Sequence, residues 1–136
     1  MSINFLNPDS LPKIGSYHQV SVATGSKSIF IAGQPAWDAS GTIVGKGNLA
    51  AQTEQSLLNV IAALAGAGAS FTDVAKLTIY VVDLSPDKMP LLMSSIVKAA
   101  EKSGIPPILP PNALLGVSAL ASPDFLIEIE AVAITG

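Results

Sequence analysis

The chain has no cysteine, no arginine and a single histidine, His18. Without cysteine there is no disulfide, no thiol nucleophile and no cysteine-held metal. One histidine alone builds no metal site, so neither a metal nor another cofactor is expected. The basic residues are all lysines, placed singly along the sequence, and ten acidic side chains against seven basic ones leave a net charge of −3. No basic stripe is available to follow a nucleic-acid backbone. Long apolar runs are missing too: Pro, Gly, Asp or Lys interrupts each one before it reaches the length of a membrane span. The first residues lack the basic start and apolar stretch of a secretory signal, which makes the cytoplasm the expected location.

Charge of either sign is scarce, at 12% of 136 residues, while 49% are apolar. That balance is low in charge for a protein that stays monomeric. A single domain of this length buries roughly two thirds of its unfolded surface. The remaining apolar surface points to a homo-oligomer. Residues 1–136 read as one domain, with residues 1–13 a polar, proline-punctuated lead-in without periodicity.

Residues 17–23 and 28–33 have strand character around a turn at Thr24-Gly25-Ser26-Lys27, the pattern of a hairpin. A turn at Asp38-Ala39-Ser40-Gly41 precedes a short strand at residues 42–44. The glycines and lysine of residues 41–47 do not make a phosphate loop, because the spacing is wrong and no Ser or Thr follows Lys46. Asn48 caps a helix over residues 49–65, whose apolar stripe includes Leu57, Ile61 and Leu64. A long strand at residues 74–84 follows. Ser85-Pro86 then opens a second helix closed by Gly104, with Met89, Leu92, Met93, Ile96, Val97 and Ala100 on its buried face. Its methionines read as core filler.

The last third carries the chemistry. A proline-stiffened approach, with Pro106-Pro107 and Pro110-Pro111, reads as a rigid loop that positions Asn112 rather than as a recognition motif for proline-binding domains. One apolar strand follows. After a turn at Ser122-Pro123-Asp124, a final strand over residues 125–134 puts Glu128 and Glu130 on one face, with Ile127, Ile129 and Ala131 on the other. Carboxylates in an otherwise apolar strand call for a partner or a task, because desolvating them is costly. Strands, helix, strand, helix and strands together predict an α+β domain, both helices on one face of a mixed sheet. Its other face is too apolar to be left wet.

Taken in order, Ile14-Gly15-Ser16-Tyr17-His18-Gln19, Ala32-Gly33-Gln34, residues 52–70, the long strand ending at Asp83 and Phe125-Leu126-Ile127-Glu128-Ile129-Glu130-Ala131 resemble the reactive-intermediate deaminase family, Rid or YjgF. The similarity runs from Ile14 essentially to the end. It implies a chorismate-mutase-like fold assembled as a homotrimer around a central barrel, with three small-molecule pockets between neighbouring subunits. It also implies hydrolysis of enamines and imines to 2-oxo acids and ammonia, with an arginine clamping the substrate carboxylate and a glutamate handling water. Matched residue by residue, Tyr17 takes the place of the family tyrosine, Gly33 of the glycine and Glu128 of the glutamate. Ala32 stands where a serine would be, Asn112 where the arginine would be, and Leu114 where a small polar residue or cysteine often sits. Gln19 is a further candidate ligand contact. Trp37 is a candidate pocket wall, with packing the favoured role.

The missing arginine limits what carries over. A bidentate arginine–carboxylate pair is charge-assisted and geometrically specific. Asparagine can donate to a carboxylate but cannot neutralise it. The favoured reading is a Rid-like trimer whose interface pocket takes a small molecule other than a simple 2-imino acid. In that reading Glu128 and Tyr17 are the candidate catalytic pair, acting on an imine, enamine or related labile group. The alternatives are a conventional 2-iminobutanoate/2-iminopropanoate deaminase and a binding protein without turnover. Family members have been described as ribonucleases or translation inhibitors; acidic balance, one histidine and no arginine argue against that role here.

Overall fold

The computed structural model describes residues 2–136. Eight elements follow one another: strands β1 (Ser2–Leu6), β2 (Val20–Thr24) and β3 (Lys27–Gln34), helix α1 (Leu49–Gly66), strand β4 (Val74–Val82), helix α2 (Met89–Ser103), and strands β5 (Asn112–Val117) and β6 (Ile127–Thr135). Four strands form a mixed sheet in the order β3-β6-β4-β5. The β4–β5 pair is parallel and the other two are antiparallel. A parallel pair needs a crossover, and α2 supplies it.

Local chemistry sets the helix ends. Asn48 is extended and its Oδ1 accepts from Ala51 N at 3.0 Å, capping α1. Ser85 and Pro86 first make one turn of 3-10 helix, Pro86–Lys88, and the α-helical geometry begins only at Met89. Gly104, with φ of 67°, closes α2 in the left-handed conformation that glycine adopts without strain.

Period-two alternation places the core. Ile127, Ile129, Ala131 and Ala133 of β6 are buried, as are Leu77, Ile79 and Val81 of β4. They meet Leu57, Val60 and Leu64 of α1 and Leu92, Ile96 and Ala99 of α2 in one cluster. The α+β fold with both helices on one face is thus present as read from the sequence. An ion pair between Lys102 and Glu54 ties the helices together at the surface. On α2 the buried positions are Leu92, Ser95, Ile96, Ala99 and Ala100, whereas Val97 is only half-buried.

Three expectations change. Part of the lead-in is β1, which pairs antiparallel with β2 from Ser2↔Thr24 to Leu6↔Val20. The strand is held by partners remote in sequence: Phe5 stacks on the His18 ring at 4.4 Å between centroids, nearly parallel at 7°. Five residues are too few for a periodic signal of their own. The second change concerns β2 and β3, which are joined by the expected turn but do not form a hairpin ladder. β2 takes β1 as its partner and β3 takes β6. The short strand at residues 42–44 is reduced to a single bridge, Trp37↔Ile43.

The helix-free face of the sheet is open in the single chain. Phe30 there is 76% exposed and Leu115 44%. No helix among the described residues is long and apolar enough to cross a membrane.

Leu64 is fully buried in the helix–sheet core. Leu64→Ala is expected to lower the unfolding free energy by about 2–5 kcal/mol. Ser28→Ala, at an exposed position, should stay within about 0.5 kcal/mol of the parent. Urea unfolding followed by circular dichroism measures both.

Candidate functional site

A cavity of about 370 Å³ lies between α2 and the β4–β5 edge of the sheet. The parallel register sets Leu114 beside Ile79 and Asn112 beside Leu77. Residues paired this way share a face, so Asn112 and Leu114 look toward the helices. Met89, Leu92, Met93 and Ile96 of α2 form the opposite wall. The two methionines are therefore cavity wall as well as packing, which helical spacing cannot tell apart from core.

Tyr17 reaches the same cavity through a contact remote in sequence. Residues 16–18 bridge to Leu109, with His18 N donating to Leu109 O and Leu109 N to Ser16 O, both at 2.9 Å. Pro110 and Pro111 then lead straight into β5, where Pro111 O accepts from Leu77 N at 3.0 Å. Asn112 Nδ2 donates to Pro110 O at 3.1 Å, so one of its two N–H groups is committed to the local backbone. Ser16, Tyr17 and Asn112 are the polar members of the lining, and no lysine or carboxylate belongs to it. Lys76 is exposed on the other face of the sheet beside Glu130.

A second group of candidate residues gathers on that other face. The β3–β6 ladder changes register between Ile31 and Gln34, and the irregularity brings Gly33 under the Glu128 side chain. A Cβ at Gly33 would stand 2.7 Å from the Glu128 carboxyl carbon. Glycine is therefore required for this approach. Glu128 pairs across the ladder with Tyr80. One step along the strand, Tyr80 Oη donates to Glu130 Oε1 at 2.6 Å. That hydrogen bond to a carboxylate, followed by partial burial and by the charges of Glu130 and Glu128, raises the Tyr80 pKa above its ordinary value.

Within one chain, then, Tyr17, Asn112 and Leu114 meet at the cavity, while Gly33 and Glu128 meet across the sheet from it, with Ala32 next to Gly33 on β3. Gln19 joins neither group: its Nε2 donates to Pro12 O and its backbone N to Asn7 Oδ1, both at 3.0 Å. Asn7 Nδ2 also lies 3.1 Å from His18 Nδ1, so His18 fastens the lead-in. Trp37 packs edge-on against Phe125, 5.5 Å between centroids, and its carbonyl accepts from Asn59 Nδ2 at 2.9 Å. It lies away from the cavity lining.

Gln52 was not among the sequence candidates. It is fully buried, its Nε2 donating to Gly45 O at 3.1 Å and Asp124 O at 3.0 Å, and its Oε1 accepting from Leu126 N at 2.9 Å. These bonds anchor the turn that launches β6 two residues before Glu128. The sequence signal is a glutamine on the stripe that continues through Ser56 and Val60. Among the described residues, no group of three or more His, Cys, Asp or Glu side chains could hold a metal ion.

Two outcomes test this geometry. Tyr80 has a folded pKa above its unfolded value near 10, so the fold holds the proton more tightly. Its contribution to stability is complete below about pH 10 and is lost as pH rises through the folded value. Tyr80→Phe should flatten that alkaline loss and remove the late-ionising component of a spectrophotometric tyrosine titration. Gly33→Ala should cost little stability, about 1 kcal/mol, because the Glu128 carboxylate is the end of a flexible side chain. It should instead displace that carboxylate, seen as a shift of its carbon-13 resonance.

Residues 8–135 match the family described as Endoribonuclease L-PSP. A RutC family protein of Pyrococcus abyssi is 38% identical over 128 residues, covering 92% of this chain and 91% of the relative. The human 2-iminobutanoate/2-iminopropanoate deaminase is 34% identical over 123 residues, 90% of this chain and 82% of the enzyme. Among solved structures, the Rid family protein YyfB of Yersinia pestis, itself described as of unknown function, superposes with a TM-score of 0.86 at 36% identity and covers 98% of this chain and 99% of its own. Escherichia coli TdcF with bound serine gives 0.68 at 28%, over 91% of each chain. With the family match spanning nearly every residue and the fold shared across these structures, this chain belongs to the Rid/YjgF family of the endoribonuclease L-PSP type.

Proposed function

We propose that the protein acts as a homotrimer in which the cavity of Tyr17, Asn112 and Leu114 on one copy is completed by Gly33 and Glu128 of the next. The observation that carries this reading is the division of the candidate residues between opposite faces of one sheet. A single chain cannot bring Glu128 to Tyr17; a second copy can. The exposed Phe30 and Leu115 support the same assembly, since they leave an apolar face that water does not favour.

The completed site would hold a small molecule and hydrolyse a C=N or similarly labile bond. In that step the Glu128 carboxylate takes a proton from water as the water oxygen bonds to carbon, and Tyr17 Oη protonates the nitrogen. Breakdown of the resulting carbinolamine leaves a carbonyl and releases the amine, and the proton held by Glu128 restores Tyr17. The human relative's name supports imine chemistry, and serine bound to TdcF supports a ligand of amino-acid size.

The substrate would differ from the 2-imino acids. The chain has no arginine, and the cavity has no lysine in its lining. Each hydrogen bond to a charged group contributes about 1.5–3 kcal/mol, or roughly ten- to a hundredfold in binding.

Wild type and Asn112→Arg should be compared on enzymatically generated 2-aminoacrylate and 2-aminocrotonate. The wild type is expected to accelerate release of the 2-oxo acids only weakly, and Asn112→Arg to exceed it by about tenfold or more. Glu128→Gln in the Asn112→Arg background should remove the gain. Light scattering should return three times the 13.9 kDa chain mass. Fast wild-type turnover of both imines, or a monomer in solution, would overturn the proposal.

A further inference from the structure

The geometry points to an uncharged, mainly apolar ligand for the cavity: a carbonyl or imine compound whose hydrocarbon part lies along α2. This rests on the reading of the cavity as the ligand site and names the class of molecule it takes. At about 370 Å³, the space falls within the range of ordinary small-molecule sites, which runs from roughly 300 to 1,000 Å³.

Its walls decide the chemistry. Met89, Leu92, Met93 and Ile96 face Ile79 and Leu114 across the space. Six apolar side chains on two facing walls reward hydrocarbon and offer nothing to a charge. A buried carboxylate or ammonium needs a partner of opposite sign, and the cavity lining contains neither a cation nor an anion. Glu128 and Glu130 stand on the other face of the same sheet. In the trimer, a neighbour's Glu128 would repel a carboxylate further, while an ammonium paired to it would occupy the base.

Polar recognition is confined to one end. Ser16, Tyr17 and Asn112 lie where the lead-in meets β5. Asn112 has already given one N–H to Pro110 O. Its Oδ1 and its second N–H, with Tyr17 Oη, can satisfy one neutral carbonyl or imine. Met89 and Met93, unbranched and polarizable, let the apolar wall adapt to tails of different shape. They and Leu114 are the specificity-determining positions.

Three six-carbon probes separate the possibilities: hexanamide, hexanoate and hexylammonium, titrated calorimetrically into the intact protein. Hexanamide is expected to bind at about 1 mM or tighter, and at least about tenfold more tightly than either ion. Met93→Trp, which fills the cavity, should weaken hexanamide about tenfold or more, and Leu114→Lys should reverse the order in favour of hexanoate. Either variant suffices if the other fails to fold. Equal or tighter binding of an ion by the wild type, no binding of hexanamide, or hexanamide binding indifferent to the folded variant would overturn the inference. Light scattering keeps the two readings apart. A trimer preferring hexanoate defeats the ligand class and leaves the interface site standing; a monomer preferring hexanamide does the reverse.

Discussion

The burial of β6 between β3 and β4 is the constraint on which the rest of the structure depends. Its alternate residues Ile127, Ile129, Ala131 and Ala133 are held against α1 with almost no exposure. Slipping this strand by one residue would turn Glu128 and Glu130 into the helix layer and put the isoleucines outside. Desolvating two carboxylates opposes that slip strongly. The core therefore fixes where the carboxylates point. Glu130 is held by Tyr80, and Glu128 rests over Gly33.

Gln52 extends this control beyond the strand. A buried amide with its hydrogen-bonding groups engaged links α1 to the loop at Gly45 and to the turn before β6. Buried polar groups are costly when unpaired and specifying when satisfied. Gln52 thus converts helix packing into a defined starting point for the strand that bears Glu128. Residues 16–18 do the same for the cavity, where the bridge to Leu109 and the stiff Pro110-Pro111 step bring Tyr17 and Asn112 to one space.

Family membership and local chemistry bear on different questions. The fold and order of elements are those of Rid proteins, and the YyfB structure matches nearly the whole chain. The chain has no arginine, and the polar end of the cavity is made of Ser16, Tyr17 and Asn112. A fold can be kept while the ligand changes, because the core residues of β6 and α1 are separate from those lining the cavity.

Some of this was determined by the sequence alone. Alternation along residues 127–134, the Asn48 cap, the Gly104 stop and the absence of arginine are local or compositional, so they are legible without coordinates. The pairing of Glu128 and Glu130 on one face follows from strand geometry. Tertiary structure alone decided that β1 and not β3 pairs with β2, that His18 and Gln19 fasten the lead-in, and that Met89 and Met93 wall a cavity. It also separated Glu128 from Tyr17 by the thickness of a sheet. The physical reason is common to these cases. Period and face are properties of neighbouring residues, whereas ladder partners and empty space depend on which distant segments pack together.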